Sequence, residues 1–172
     1  MGPGMIPAPS SAPCIFIDAD ACPVKEEVYR VAVRYGLHVF VVSNSWINTP
    51  REKWIEQIVV DAGPDIADDW IAERITAADV CITSDIPLAA RCLARGARAV
   101  ASNGRVWSAD NIGNALAGRA IGQYLREMGV ATGGPAPMTK ADRSNFLSAL
   151  DAAAQAALRT PARQTPATVT LL

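Results

Sequence analysis

Short apolar runs that are rich in β-branched residues alternate along this chain with segments of helical periodicity. The apolar runs lie at 14–18, 37–43, 57–61, 79–84 and 97–101. Helical patterns lie at 23–35, 66–78 and 86–96, and two more follow at about 109–128 and 140–158. Because a strand–helix–strand unit sets its strands parallel, this order predicts an α/β domain with a mostly parallel sheet of about five strands. We expect strand order 3-2-1-4-5, which right-handed crossovers support, in a three-layer domain with additional C-terminal helices.

The two ends of the chain differ in composition from its middle. Residues 1–13 and 159–172 are rich in Pro together with small or polar residues, which predicts a flexible N-terminal arm and a flexible C-terminal tail. One domain is expected between them, at 14–158, with a connector at 133–137 between its last two helices. Three glycines predict close packing of the first of these helices, within the chain or in a homodimer: Gly113, Gly118 and Gly122.

Charge and cysteine usage narrow the functional classes. The formal net charge is -1 and the pI is about 5.8, so the chain has no global basic field, and nucleic-acid binding would need a local patch. The four cysteines form no CxxC pair, which predicts reduced thiols in a cytoplasmic protein without a disulfide-linked partner. We expect neither a secretory signal nor a membrane-spanning segment.

Two carboxylates stand at the ends of strands that the predicted order makes neighbours. Asp18 closes the first strand, and Asp85 follows the fourth in "ITSDIPLAARC". Ligands of open parallel sheets bind beyond the carboxyl ends of the strands, where the strand order reverses, so we expect the two side chains to converge there. Asp20 lies in the turn before Pro23. The alternatives are local, because Asp18 and Asp20 would also suit a turn and Asp85 would also cap the following helix.

A third acidic group lies in "GPDIADDWIAER". Asp65 stands where a helix N-cap is expected, and Asp68, three residues later, is its predicted capping-box partner. Asp69 follows directly. Adjacent carboxylates repel each other and one cap needs only one of them, so a bound divalent cation is the alternative explanation for the pair. Clustered acidic side chains hold Mg²⁺ at sites of in-line phosphodiester displacement.

The stretch "DADAC" also resembles the opening of haloacid-dehalogenase-type phosphatases, in which the first Asp is a covalent nucleophile. In that family the second acidic motif comes late in the chain, after a Ser/Thr motif and a distant Lys. Here Asp68 and Asp69 precede "ITSD", and no suitably placed Lys lies between them. The order of the motifs therefore argues against a phosphatase of this type.

Six motifs occur in an order that resembles the YaiI/YqxD family. They are "DADACPVKEEVYRVA", "VVSNSW", "GPDIADDWIAER", "ITSDIPLAARCLARGA", "NIGNALA" and "GGPAPMTKADRSNFLSALD". The resemblance extends from about residue 14 to residue 158. The family is grouped with PIN-like domains, whose better-known members are metal-dependent ribonucleases with a compact α/β fold. The resemblance therefore implies a fold of that kind and, as an expectation, hydrolase activity on RNA.

The resemblance also implies roles for individual acids. Asp18 matches the first-strand acid of the PIN-like fold, and Asp85 matches the acid after the fourth strand. Asp68 and Asp69 resemble the adjacent acidic pair of NYN-type nucleases. A catalytic site of these four acids is implied, with Mg²⁺ or Mn²⁺ bound through Asp18, Asp69 and Asp85 and with water attacking a phosphodiester. Asp20 and Asp65 have no clear match in these families and are secondary positions. Asn44, just past the second strand, is also secondary, and it would either orient a phosphate or water or be an ordinary loop residue.

Side chains suited to hold a nucleic acid are scattered along the sequence. Lys25 and Arg91 lie on the first turns of helices that enter the predicted crevice, where they would reach phosphate, although such residues also occur on solvated helix faces. Trp46 and Trp107, in predicted loops, are candidates for base stacking, whereas Trp70 is expected in the core. Because the net charge is near neutral, a non-catalytic PIN-like binding module or partner subunit is the alternative function.

Overall fold

The computed structural model describes residues 12–129 and 137–161 and contains the predicted alternation of strands and helices. The strands are β1 (Cys14–Asp18), β2 (His38–Ser43), β3 (Ile55–Val59), β4 (Val80–Ile82), β5 (Arg98–Val100) and β6 (Val106–Trp107). The helices are α1 (Lys25–Tyr35), α2 (Ile66–Arg74), α3 (Ile86–Ala94), α4 (Ala109–Glu127) and α5 (Lys140–Leu158), and a 3₁₀ turn spans Ala19–Ala21. The predicted α/β class is therefore confirmed.

All six strands form one sheet in the order β3-β2-β1-β4-β5-β6. The first five are parallel, and β6 pairs with β5 in the antiparallel direction. The predicted order 3-2-1-4-5 is confirmed, but the sixth strand was not predicted, because two residues are too short to show a periodic pattern. The order reverses between β1 and β4, and this reversal places the ends of these two strands at one edge of the sheet.

Helices cover both faces of the sheet and give a three-layer domain. On one face, α1 and α5 bury Ile15, Ile17 and Val39 from the strands. On the other face, α2, α3 and the start of α4 pack against Phe16 and Phe40. The residues of β2 are buried throughout, and only Asp18 of β1 is partly accessible, which explains why these strands appear in the sequence as continuous apolar runs.

Helix boundaries follow local signals with small differences from the sequence-based ranges. Gly36 adopts a left-handed conformation with φ 66° and ends α1, which begins at Lys25 and not at Pro23. The capping box of α5 is present, because the Thr139 side chain accepts from the Asp142 amide and the Asp142 carboxylate accepts from the Thr139 amide.

Helix α4 differs from the expectation of close packing inside the chain. It has no buried residue, and a Cβ added at Gly113 or Gly118 would meet no atom within 4 Å among the described residues. Its outer side exposes Ile121, Tyr124 and other apolar side chains. Close intrachain packing of these glycines is therefore wrong, and the homodimer interface stays a prediction.

Other sequence-based expectations have mixed outcomes. Most of the predicted arm, connector and tail falls outside the described residues. Within the described ranges, the four cysteines are buried and free, and no helix combines the length and apolar character that crossing a bilayer requires. The Trp70 ring packs against Phe16 and Phe40, as expected for a core residue. Trp107 is 5 % exposed because it pairs in β6, so its predicted role in base stacking is wrong.

Candidate functional site

A cleft of about 440 Å³ opens at the carboxyl edge of the sheet, where the strand order reverses. We call it the acidic cleft, because five carboxylates line it together with hydroxyl and amide side chains. The carboxylates are Asp18, Asp20, Asp65, Asp68 and Asp85. The other polar side chains of the lining are Cys22, Asn44, Thr83, Ser84 and Ser102. Three separate acidic groups of the sequence therefore meet at one site.

Thr83 links the two carboxylates that follow the central strands. Its hydroxyl donates to Asp18 Oδ2 over 2.8 Å and accepts from the Asp85 amide over 2.9 Å. Thr83 is buried, and its carbonyl oxygen accepts from Trp107 Nε1 over 3.1 Å. The hydroxyl therefore fixes the orientation of the Asp18 carboxylate relative to the start of α3. This residue was not singled out from the sequence, although it lies within the motif "ITSD" that ends in Asp85.

Asp85 is the N-cap of α3, as the local alternative predicted. Its Oδ1 accepts from the Leu88 amide over 3.0 Å, and its backbone is extended. Capping uses one carboxylate oxygen in this arrangement, and the side chain also lines the acidic cleft. The capping role and a ligand role are therefore compatible at this position.

Asp65 does not cap α2. The residue has φ 67° and ψ 1°, and its side chain makes no cap hydrogen bond. A side-chain N-cap requires an extended backbone, so the left-handed conformation of Asp65 explains why the predicted capping box with Asp68 is wrong. Asp65 is the one described residue other than Gly with a positive φ, and its exposed carboxylate lines the acidic cleft. Such backbone strain is common at functional sites.

The adjacent pair Asp68 and Asp69 is divided between two environments. Asp68 lines the acidic cleft. The Asp69 side chain is 50 % exposed and accepts from Arg91 Nη1 over 2.7 Å. Asp69 was predicted as a metal ligand and Arg91 as a phosphate contact, but the structure places them together, and neither lines the cleft.

Burial and mutual repulsion disfavour the ionised form of two carboxyl groups in the acidic cleft. Burial, followed by the charges of Asp85, Asp18 and Asp65, raises the pKa of Asp68 from 3.8 to about 6, while Arg91 opposes the shift. Burial also raises the pKa of Asp18, against the stabilising hydrogen bond from Thr83, and the charges of Asp85 and Asp20 add to the rise. A cation bound between these groups would relieve the repulsion.

Asp20 and Asn44 meet at the rim of the acidic cleft. The Asn44 backbone amide lies 3.2 Å from Asp20 Oδ1 and 3.1 Å from Asp20 Oδ2 and donates to this carboxylate. This contact ties the turn after β1 to the loop after β2. Lys25, which was predicted to contact phosphate, does not line the cleft. Its Nζ donates to the Cys22 carbonyl oxygen over 2.8 Å.

Two serines that line the cleft were not predicted as site residues from the sequence. Ser84 lies beside Thr83 in "ITSD", and its Oγ is 3.5 Å from Ser102 Oγ. Ser102 follows β5 and carried no signal, because a single Ser in a loop is common. Burial raises the pKa of the Cys22 thiol above its ordinary value, so this thiol is not suited to act as a nucleophile at neutral pH.

The donor types of the acidic cleft suit a hard cation. Carboxylate, hydroxyl and amide oxygens are the ligands that Mg²⁺ and Mn²⁺ prefer. Among the described residues, no three His, Cys, Asp or Glu side chains form a ready-made ligand group. Mg²⁺ typically retains several waters and uses one or two carboxylates, so the residues present fit such an ion through few direct contacts.

Comparison with known proteins shows that the chain has a large group of relatives. A UPF0178 protein of Caulobacter vibrioides (strain NA1000 / CB15N) is 65% identical over 137 residues, which cover 80% of this chain and 90% of the relative. A UPF0178 protein of Caulobacter sp. (strain K31) is 62% identical over 145 residues, which cover 84% and 96%. One from Paramagnetospirillum magneticum is 56% identical over 137 residues, which cover 80% and 91%.

The family-level comparison covers the same region. No solved structure gives a significant match to the chain. The profile described as "Uncharacterized BCR, YaiI/YqxD family" matches residues 16–156, which include every strand after the first two residues of β1 and all lining residues of the acidic cleft. The chain therefore belongs to the YaiI/YqxD family.

Proposed function

We propose that the chain is a metal-dependent phosphodiesterase that acts on RNA. The observation that carries the proposal is the convergence of Asp18, Asp68 and Asp85 in one cleft at the reversal of strand order. Open parallel sheets bind their ligands at this position. The resemblance to PIN-like nucleases supports the choice of a phosphodiester as the substrate.

Asp18, Asp68 and Asp85 would hold the Mg²⁺ or Mn²⁺ ion, one or two of them by direct contact and the rest through its bound waters. We prefer Asp68 to Asp69 as the ligand from α2, because Asp69 is engaged by Arg91 outside the cleft. The bound cation would neutralise phosphate charge and lower the pKa of water. Thr83 orients the Asp18 carboxylate through the 2.8 Å hydrogen bond.

Water is the nucleophile that the site supports best. The single histidine, His38, is buried at the start of β2 and lies 3.4 Å from Glu56, so it does not pair with the cleft hydroxyls. Ser84 and Ser102 both line the cleft with their Oγ atoms 3.5 Å apart, and their hydroxyl groups would donate to phosphate oxygens. The Cys22 thiol is buried and its pKa is raised.

The test compares Asp85→Asn with Asp69→Asn. An Asn at position 85 keeps an oxygen that caps α3, so the fold is expected to persist and circular dichroism to be unchanged. We expect Asp85→Asn to abolish Mn²⁺-dependent cleavage of a labelled RNA, whereas Asp69→Asn, which lies outside the cleft, keeps most of it. Cleavage by purified Asp85→Asn at the wild-type rate would contradict the proposed site.

A second candidate is a non-catalytic binding module or partner subunit. It is favoured by the net charge of -1 and by the pairing of Arg91 with Asp69, which leaves this arginine outside the cleft. Titration calorimetry with Mn²⁺ separates the two candidates, with Asp18→Asn as the comparison. Mn²⁺ binding that is lost in Asp18→Asn supports the phosphodiesterase, and wild-type protein that binds no Mn²⁺ supports the binding module.

A further inference from the structure

Trp46 lies in the loop between β2 and β3 and is 75 % exposed, the largest value among the large apolar side chains that the structure describes. A single exposed apolar residue is ordinary on a protein surface. An exposed indole is a more specific feature, because aromatic rings are enriched where proteins bind partners and ligands. Its surroundings therefore decide whether it has a binding role.

The loop that carries Trp46 is held in place by a side chain of β3. Gln57 Oε1 accepts from the Ile47 amide, and Gln57 Nε2 donates to the Ile47 carbonyl oxygen, both over 2.8 Å. Gln57 Nε2 also lies 3.4 Å from Thr49 Oγ1. The residue next to Trp46 is thus fixed on both of its backbone polar groups, which lowers the ordering cost of binding at the indole.

An open groove of about 630 Å³ lies beside the indole, and we call it the Trp46 groove. Its lining includes Arg51 and Lys53, which are both exposed. In residues 12–129 and 137–161, neither cation lies within ion-pair distance of a carboxylate. The acidic residues of the lining are Glu52 and Glu56.

The Trp46 groove is continuous along the chain with the acidic cleft. Asn44 lines the cleft, and its amide donates to Asp20. The Ser43 hydroxyl donates to the Ser45 carbonyl oxygen over 2.7 Å, which stiffens the segment between the cleft and Trp46. The lining of the Trp46 groove therefore begins two residues along the chain from the lining of the acidic cleft.

We propose that the Trp46 groove binds single-stranded RNA and guides it toward the acidic cleft. An aromatic face that stacks on bases, next to cations that contact phosphates, is the usual combination for binding single strands without sequence preference. A base stacks on the Trp46 indole, and Arg51 and Lys53 contact the neighbouring phosphates. The guiding role depends on the proposed function, whereas the binding itself does not.

The experiment measures binding of a fluorescein-labelled uridine dodecamer by anisotropy, with EDTA present so that no metal-dependent cleavage occurs. We expect Trp46→Ala to weaken binding between about fivefold and a hundredfold, because base stacking on an aromatic side chain has an effect of this size. Trp46→Phe keeps a stacking face and retains most of the affinity. The matched control is Val33→Ala, at an exposed apolar residue of α1, which keeps wild-type affinity.

A second measurement tests the cations. Replacing Arg51 and Lys53 together by Ala should reduce the slope of log affinity against log salt by about 1.4, since each phosphate contact on a single strand contributes about 0.7. Equal affinities of wild type and Trp46→Ala, or no binding by wild type, would overturn the proposal. The binding assay contains no metal, so it is independent of cleavage. If the wild-type protein fails to cleave RNA with Mn²⁺, only the proposed function is contradicted. If wild type and Trp46→Ala bind the RNA equally well, only this inference is contradicted.

Discussion

Replacing Asp68 by Asn should stabilise the metal-free protein at neutral pH. In the folded chain, burial and the charges of Asp85, Asp18 and Asp65 raise the pKa of Asp68 from 3.8 to about 6. An unfolded chain releases this proton at the lower pKa, so the folded state binds more protons between about pH 4 and pH 6. The free energy of unfolding therefore falls as the pH rises through this window, and it reaches its full decrease above about pH 6.

The size of this cost follows from the two pKa values. A rise from 3.8 to about 6 corresponds to about 3 kcal/mol when both states are ionised. Asp68 is partly exposed, and solvent screening reduces the expected effect to about 1–2 kcal/mol. Asp68→Asn removes the charge, so its unfolding free energy should exceed that of wild type by this amount well above pH 6. Below about pH 4 the difference should vanish, because Asp68 is then protonated in both states.

The assay is urea unfolding followed by circular dichroism in EDTA at several pH values. Asp69→Asn is the matched control, because Asp69 occupies the same first turn of α2 but pairs with Arg91. The unfolding free energy of Asp69→Asn should equal that of wild type or be lower by up to about 1 kcal/mol, because the variant loses the ion pair and the interaction with the helix dipole. Equal stabilities of the two variants at neutral pH, or a gain in Asp68→Asn that persists below pH 4, would refute the reasoning.

Two further substitutions distinguish functional from structural polar groups. Thr83→Val removes the hydroxyl that donates to Asp18 and should weaken Mn²⁺ binding about tenfold or more in calorimetry, as loss of an orienting contact does; unchanged affinity would contradict the orienting role. Asp79→Ala removes a buried carboxylate that accepts from Cys14 and Thr76 and should lower the unfolding free energy by about 3 kcal/mol in urea titration. The folded fraction of Asp79→Ala should keep wild-type Mn²⁺ affinity, and a loss of affinity would connect this residue to the cleft.

The positions of Asp18 and Asp85 were predictable because each stands at the end of a strand. The alternation of strands and helices, with the preference for right-handed crossovers, supports the expected order up to β5, and this order brings the ends of β1 and β4 together. The structure places both side chains in the lining of one cleft. No detailed packing was needed for this result, since the topology decides it.

The choice between Asp68 and Asp69 could not be made from the sequence. Neighbouring residues on a helix point about 100° apart, so the rotation of α2 about its axis decides which carboxylate enters the cleft. That rotation is set by the packing of Ala67 and Ile71 against the sheet, which the sequence pattern does not fix. The left-handed backbone of Asp65 was equally hidden, because Asp occurs both in extended N-caps and in left-handed positions.

Three carboxylates with shifted pKa values differ in what they do for stability. Asp151 accepts from Tyr35, Gln155 and Arg34, and these contacts lower its pKa, so its charge stabilises the folded chain at neutral pH. Asp18 and Asp68 have raised pKa values, so their charges oppose folding when no cation is bound. Residues whose charge costs stability are not explained by the fold alone. The proposed cation, which would favour the ionised cleft, would supply a reason for them, and its binding would reverse the order of stability of wild type and Asp68→Asn.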